Sequence, residues 1–199
     1  GTNTMVSNNI QLSSIPRRMY IYVRERNNDL YSTPSNPDTY FSIESVSIQF
    51  QNKNGLLSSS TKQQLYEMAV KNHCKMSWTQ WAGGPVYPVA SFDNANDFGT
   101  VGSILCIEFA TDIGLEDIEA PGKLGQYLLQ VTANITNISN RSITPTMYIV
   151  VVAEGTFTIE GLGKASTNIG VISSQDILNA ASNPFINYND VQCVNGGNF

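Results

Sequence analysis

The chain is patterned for strands over most of its length. Between Arg18 and Arg24, Met19, Ile21 and Val23 share one face at a period of two, while Tyr20, Tyr22 and Arg24 share the other. A strand that is apolar on one side and aromatic on the other is either covered on both faces of its sheet or meets another protein. Residues 103–109 (Ser-Ile-Leu-Cys-Ile-Glu-Phe) and 147–153 repeat this two-faced apolarity, and the first of these reads as a central strand. Residues 126–136 alternate: Leu129, Val131, Ala133 and Ile135 are expected inward, with Gln130, Thr132, Asn134 and Thr136 outward.

Residues 40–50 alternate with a slip in parity. Phe41 and Ile43 fall in one phase, and Val46, Ile48 and Phe50 in the other, so one extra residue near Glu44-Ser45 is expected as a β-bulge. The spacing of Leu65, Met68, Ala69 and Asn72 predicts a helix from an N-cap at Ser60 to about Asn72. From Cys74 to Thr100 the chain reads as a long irregular loop carrying Trp78 and Trp81, of a length usually tied to function or assembly. The tight turn at Glu154-Gly155 predicts a hairpin over 147–160. Further turns are expected at Asn27-Asn28-Asp29, Pro34–Asp38, Asn52–Gly55 and Ser139–Ser142. A capping-box pattern from Ser173 to Asp176 opens a short helix to about Ala181, followed by an Asn- and Gly-rich tail. With no alternation of strand and helix, the sum is all-β: an antiparallel eight-stranded jelly-roll sandwich with one helix in a middle loop and a short helix near the C-terminus.

Composition narrows the function. Charged residues make up only 14% of 199, against roughly 25% in ordinary soluble domains, and Asn, Ser and Thr take their place. A net charge of −5 with scattered basic residues gives no reason to bind nucleic acid or an anionic membrane. Arg17, Arg18, Arg24 and Arg26 cluster at one strand, too few for a nucleic-acid groove. No apolar run approaches the roughly 18 residues of a membrane-spanning helix, and the first residues have neither a charged start nor an apolar stretch. Gly1 stands where an initiator methionine would, so the chain reads as a processed or excised piece of a longer polypeptide. Cys74, Cys106 and Cys193 are far apart and odd in number, which argues against a disulfide framework and for a reducing compartment. Sequons at Asn134, Asn137 and Asn140 read as coincidence in a chain this rich in Asn, Ser and Thr.

Catalytic readings are weak. His73 is the sole histidine, and its neighbour Cys74 would point about 100° away on a helix, so a nucleophile–base pair is disfavoured. The acidic stretch Asp112, Glu116, Asp117 and Glu119 has the residue types for Ca²⁺ or for a glycosidase pair, but no loop signature, and reads as solvated turn carboxylates. Gly161-Leu-Gly163-Lys164 opens no helix and lacks the context of a phosphate loop. Neither a catalytic residue nor a metal or cofactor is expected.

Several stretches, in order, resemble the C-terminal jelly-roll half of double jelly-roll major capsid proteins of the virophage type, related to those of large DNA viruses. They are Leu12–Val23 with its Ser14-Ile15-Pro16-Arg17 entry, Ile104–Phe109 with Asp112–Leu115, Pro121-Gly122 with Gly125–Val131, and Val171–Asn179. The resemblance implies a structural, non-enzymatic role. Two jelly rolls would stand upright in each subunit, and homotrimers would form pseudo-hexagonal capsomers tiling an icosahedral shell. It also implies an inter-barrel linker or arm at 1–14, a jelly roll at 15–172, and a short helix and tail at 173–199. The implied partners are the other jelly-roll half, further copies in the lattice, and penton or minor capsid proteins, in a virion assembled in the host cytoplasm. Arg17, Arg18, Tyr20, Tyr22, Trp78 and Trp81 are the candidate interface residues. The competing reading is a carbohydrate-binding jelly-roll module, which exposed Trp and Tyr on polar loops would also suit.

Overall fold

The computed structural model describes residues 2–26, 41–83, 102–137, 142–160 and 164–169, together with Ser173, Gln175 and Leu178. Strands β1 (Thr2–Val6) and β2 (Ile10–Ser14) lie in succession along one edge of β7 (Leu124–Thr136). Most of the stretch expected to be an arm or linker, Thr2–Val6 and Ile10–Ser14, is thus paired in a sheet. At the step between β1 and β2, Ser7 replaces a ladder residue: its N–H donates to Val131 O (2.8 Å) and its Oγ accepts from Val131 N–H (2.9 Å). The other edge of β7 pairs with β4 (Ser42–Phe50), which continues to the short β5 (Lys53–Leu56). A second sheet has the order β6 (Ile104–Glu108), β3 (Arg18–Glu25), β8 (Pro145–Val152). All these pairings are antiparallel.

The facing sides of the two sheets form one core, in which Met19, Ile21 and Val23 belong to the same cluster as Val46, Ile48, Val131, Ala133 and Ile135. The alternation of β3 and β7 is therefore as read from the sequence. So is the bulge: Ile43 pairs with Ile135 and Ser45 with Asn134, leaving Glu44 as the extra residue that restores the inward phase for Val46, Ile48 and Phe50. Phe50 closes one end of the core, edge-on to Phe109 and stacked on Tyr127 at ring distances of 5.2 and 5.7 Å.

The helices differ from the expectation in their starts. Helix α1 (Lys62–Lys71) is capped by Thr61, one residue later than Ser60. Thr61 Oγ1 accepts from Gln64 N–H, and Gln64 Oε1 accepts from Thr61 N–H, so Thr61 completes a reciprocal box that Ser60 does not form. The segment after Cys74 is not wholly irregular: α2 (Trp78–Ala82) opens with the same box between Ser77 and Gln80. A single turn, α3 (Phe109–Asp112), ends β6 and takes Phe109 out of the strand.

Two strand placements also differ. Among the described residues β6 lies at the edge of its sheet, with β3 in the middle. Its outer backbone groups are occupied by side chains: Trp81 Nε1–H donates to Ile104 O (3.0 Å), Asn72 Nδ2–H to Cys106 O (2.9 Å), and Asp112 Oδ2 accepts from Glu108 N–H (2.8 Å). These contacts, with α1 alongside, bury Leu105, Cys106 and Ile107 and give an edge strand the composition of a central one. The hairpin expected over 147–160 is not formed. β8 pairs with β3, whereas β9 (Gly155–Glu160) pairs with β10 (Lys164–Ile169). The pairing with β3 packs Met147, Ile149 and Val151 against the core and uses one edge of β8; among the described residues its other edge pairs with no strand.

The expected turns at 27–38 lie outside the described residues, as do the greater part of the 139–142 turn and the C-terminal tail. Of the late helix, only Gln175 and Leu178 fall within them, both helical.

Candidate assembly surface

Because β3 alternates strictly, the same geometry that buries Met19, Ile21 and Val23 turns Tyr20, Tyr22 and Arg24 outward. Register then decides their neighbours. Tyr20 stands between Cys106 and Val150, and Tyr22 between Ile104 and Tyr148. Tyr22 and Tyr148 stack at 5.2 Å with planes 9° apart, and the Arg24 guanidinium lies 5.4 Å from the centre of the Tyr148 ring. Val150 and Val152 are 44% and 39% exposed on this face.

Arg24 stands at one end of this face, and two ion pairs lie at the other. Arg18 Nη2 donates to Glu108 Oε1 at 2.8 Å, and Arg17 pairs with Glu154 at 3.1 Å. The Arg18 hydrogen bond holds the Glu108 carboxyl below its ordinary range, and Glu108 in turn holds the guanidinium firmly protonated. Burial pushes the Cys106 and Cys74 thiols up, so both stay protonated and unreactive at neutral pH. The outer face of the other sheet mixes exposed apolar side chains, Val6, Leu124 and Leu128, with polar ones. Thr4 Oγ1 donates to Asn134 Oδ1 (2.7 Å) and Asn134 Nδ2 to Ser45 Oγ (2.8 Å), an uncharged polar ladder. Both ends of the Asn134 amide are engaged there.

The tryptophans separate. Trp81 is fully buried, with its indole N–H spent on Ile104 O, and its carbonyl accepts from the buried Ser103 hydroxyl at 2.8 Å. It is a core residue and offers no surface. Trp78, 42% exposed, stacks on Trp81 (6.3 Å, 19°) and meets Tyr66 edge-on at 5.3 Å. Sequence reading saw the pair but not its division, because which of two nearby tryptophans is covered depends on where α2 docks.

The residues weighed for chemistry are placed structurally. Asp112 accepts from Asn72 Nδ2 (2.6 Å) and from the Glu108 amide, which fixes the exit of β6. Glu119 Oε2 accepts from the Glu116 amide (3.2 Å), while Lys53 and Lys123 bind the carbonyls of Gly114 and Ile118. Among the described residues no three His, Cys, Asp or Glu side chains are grouped to hold a metal ion. Lys164 begins β10 opposite Glu160; Gly161 to Gly163 lie outside the described residues.

Comparison with known proteins places this sandwich. The family model described as the major capsid protein V20 C-terminal domain matches residues 1–155. The chain belongs to this family. It is 35% identical over 204 residues to the putative capsid protein V20 of Sputnik virophage, covering all of this chain and 34% of that protein. It is also similar to a chain in the 3.5 Å cryo-EM structure of the Sputnik virophage, with a TM-score of 0.78, 32% identity, and coverage of 98% of this chain and 40% of that one. The crystal structure of the mavirus major capsid protein shares the fold, with a TM-score of 0.68 at 17% identity over 89% of this chain and 37% of that one. This chain therefore spans about a third of the length of its virophage relative. The resemblance read from the order of its motifs holds, and the V20-type capsid proteins are structural components of a virion.

Proposed function

We propose that this chain is the C-terminal jelly roll of a virophage major capsid subunit, acting through interface geometry and without catalysis. In this reading residues 15–172 make up the jelly roll, 1–14 connect it to the other half of the subunit while adding β1 and β2 along its β7 edge, and 173–199 form the helix and tail. Three such subunits make a pseudo-hexagonal capsomer, and capsomers tile an icosahedral shell together with penton and minor capsid proteins after assembly in the host cytoplasm. The observation that carries this reading is the outer face of β6–β3–β8, where Tyr20, Tyr22, Tyr148, Val150 and Val152 form an apolar centre with Arg17, Arg18 and Glu108 at its rim. An apolar centre with a polar rim is the anatomy of a protein interface. The exposed Trp78 is a second contact point.

Size-exclusion chromatography with light scattering, followed by negative-stain microscopy, tests the proposal on the full-length polypeptide. Three copies per particle with a hexagonal outline are expected. A monomer that binds selectively on a glycan array would instead establish the carbohydrate-binding module.

A further inference from the structure

Asn54 and Gly55 are the two middle residues of β5, and both are exposed. We infer that this Asn-Gly step is a self-modifying site, at which Asn54 converts in water to a mixture of aspartate and isoaspartate. The change uses only this chain's own groups and water, so it goes beyond the capsid reading and does not rest on it. Three observations single the step out.

The first is the neighbour. The reaction begins when the backbone nitrogen of the following residue attacks the asparagine side-chain carbonyl, and a Cβ on that residue crowds the approach. Among the described residues Asn54 is the one asparagine that glycine follows, whereas Asn9, Asn134, Asn137 and Asn168 each precede an isoleucine. The second is the side chain. The amides of Asn72 and Asn134 are tied by hydrogen bonds of 2.6 to 2.9 Å. No hydrogen bond to a described residue fixes the Asn54 amide.

The third is the backbone. Phe50 pairs with Lys53 and Ile48 with Leu56, so the register shifts across the step, and Asn54 and Gly55 together face Gln49. Gly55 is left-handed, with φ of 71°. The flanking residues are anchored: Lys53 Nζ donates to Gly114 O at 2.6 Å, and Leu56 packs against the core. The step between them is the part of this edge strand left to rotate, which brings Gly55 N to Asn54 Cγ. The N–Cγ bond forms, the Cγ–Nδ2 bond breaks, and the side-chain nitrogen leaves as ammonia with the Gly55 amide proton. Water then opens the cyclic imide, at Cγ to give aspartate or at the Asn54 backbone carbonyl to give isoaspartate. Either product adds one negative charge and takes the net charge from −5 to −6. The isoaspartyl link also routes the backbone through an extra methylene, which displaces Leu56 from its place opposite Ile48.

Ageing the full-length polypeptide in mildly alkaline buffer tests this, with one sample folded and a second unfolded in urea. Mass spectrometry of the chymotryptic peptide after Phe50 reads the exchange of amide for acid at Asn54. Isoaspartyl methyltransferase with labelled S-adenosylmethionine reads the isoaspartate in the intact chain. Both signals should grow with time, and conversion at Asn54 in the folded sample should run within about tenfold of the unfolded one, because a step without a ladder partner opens at little cost. A folded rate slower than that, protection of more than about 1.4 kcal/mol, overturns the inference, as does no conversion at Asn54 or faster conversion at Asn9 or Asn52. Asn54→Gln keeps the amide and Gly55 but lengthens the ring to be closed, and should remove the acid product at this position. Its persistence there at the original rate would equally overturn the mechanism.

Discussion

His73 adopts a left-handed backbone conformation, with φ of 73°. It follows the C-cap Asn72, and its N–H donates to Val70 O while the Cys74 N–H donates to Ala69 O, the paired bonds of a Schellman ending. This explains the sole histidine better than any chemistry with Cys74 does. Glycine fits such a position without a Cβ penalty, so His73→Gly should stabilise the domain by about 0.5–1 kcal/mol in chemical denaturation. A loss of stability would show that the imidazole makes contacts worth more than the backbone strain. Residue-scale roles of this kind were hidden in the sequence, since nothing adjacent to His73 signals a positive φ. Asp112 was hidden in the same way: a carboxylate in an acidic run becomes structural only when Asn72, forty residues earlier, is folded against it.

At the scale of elements, legibility follows the range of the interactions. The slip in parity between Ile43 and Val46 located the bulge because side-chain alternation is a local property of the strand. The capping boxes Thr61-Lys-Gln-Gln64 and Ser77-Trp-Thr-Gln80 are equally local, and reading the Gln three residues after each cap would have placed both helix starts. Thr61→Ala and Ser77→Ala should each cost about 1 kcal/mol in thermal or denaturant unfolding, and Ser60→Ala close to nothing. A larger effect at Ser60 would return the cap to it. The partner of β8 was not legible. A two-residue link between apolar strands predicts a hairpin, but the strand that β8 pairs with is β3, more than 120 residues away in sequence, and no local pattern names it.

For the molecule as a whole, the buried Trp81 belongs to the fold, and the exposed Trp78 is the proposed assembly contact. Trp81→Ala removes a fully buried indole and should destabilise the isolated fold by about 3–5 kcal/mol. Trp78→Ala forfeits ring contacts worth about 1 kcal/mol and should leave the melting transition largely in place while weakening capsomer formation in light scattering. Equal losses of stability would place Trp78 in the core as well. The strand pattern and the order of the capsid-like motifs were determined by the sequence alone, because each rests on spacing along the chain. What covers the outward face of each strand was decided only by tertiary structure. β6, β3 and β8 are all apolar on both sides in sequence, yet α1 and its C-cap Asn72 lie along the edge of the first, whereas register gathers Tyr20, Tyr22 and Val150 with Ile104 around an open hollow. Periodicity gives a side chain its face; only the neighbours brought by the fold determine whether that face is filled.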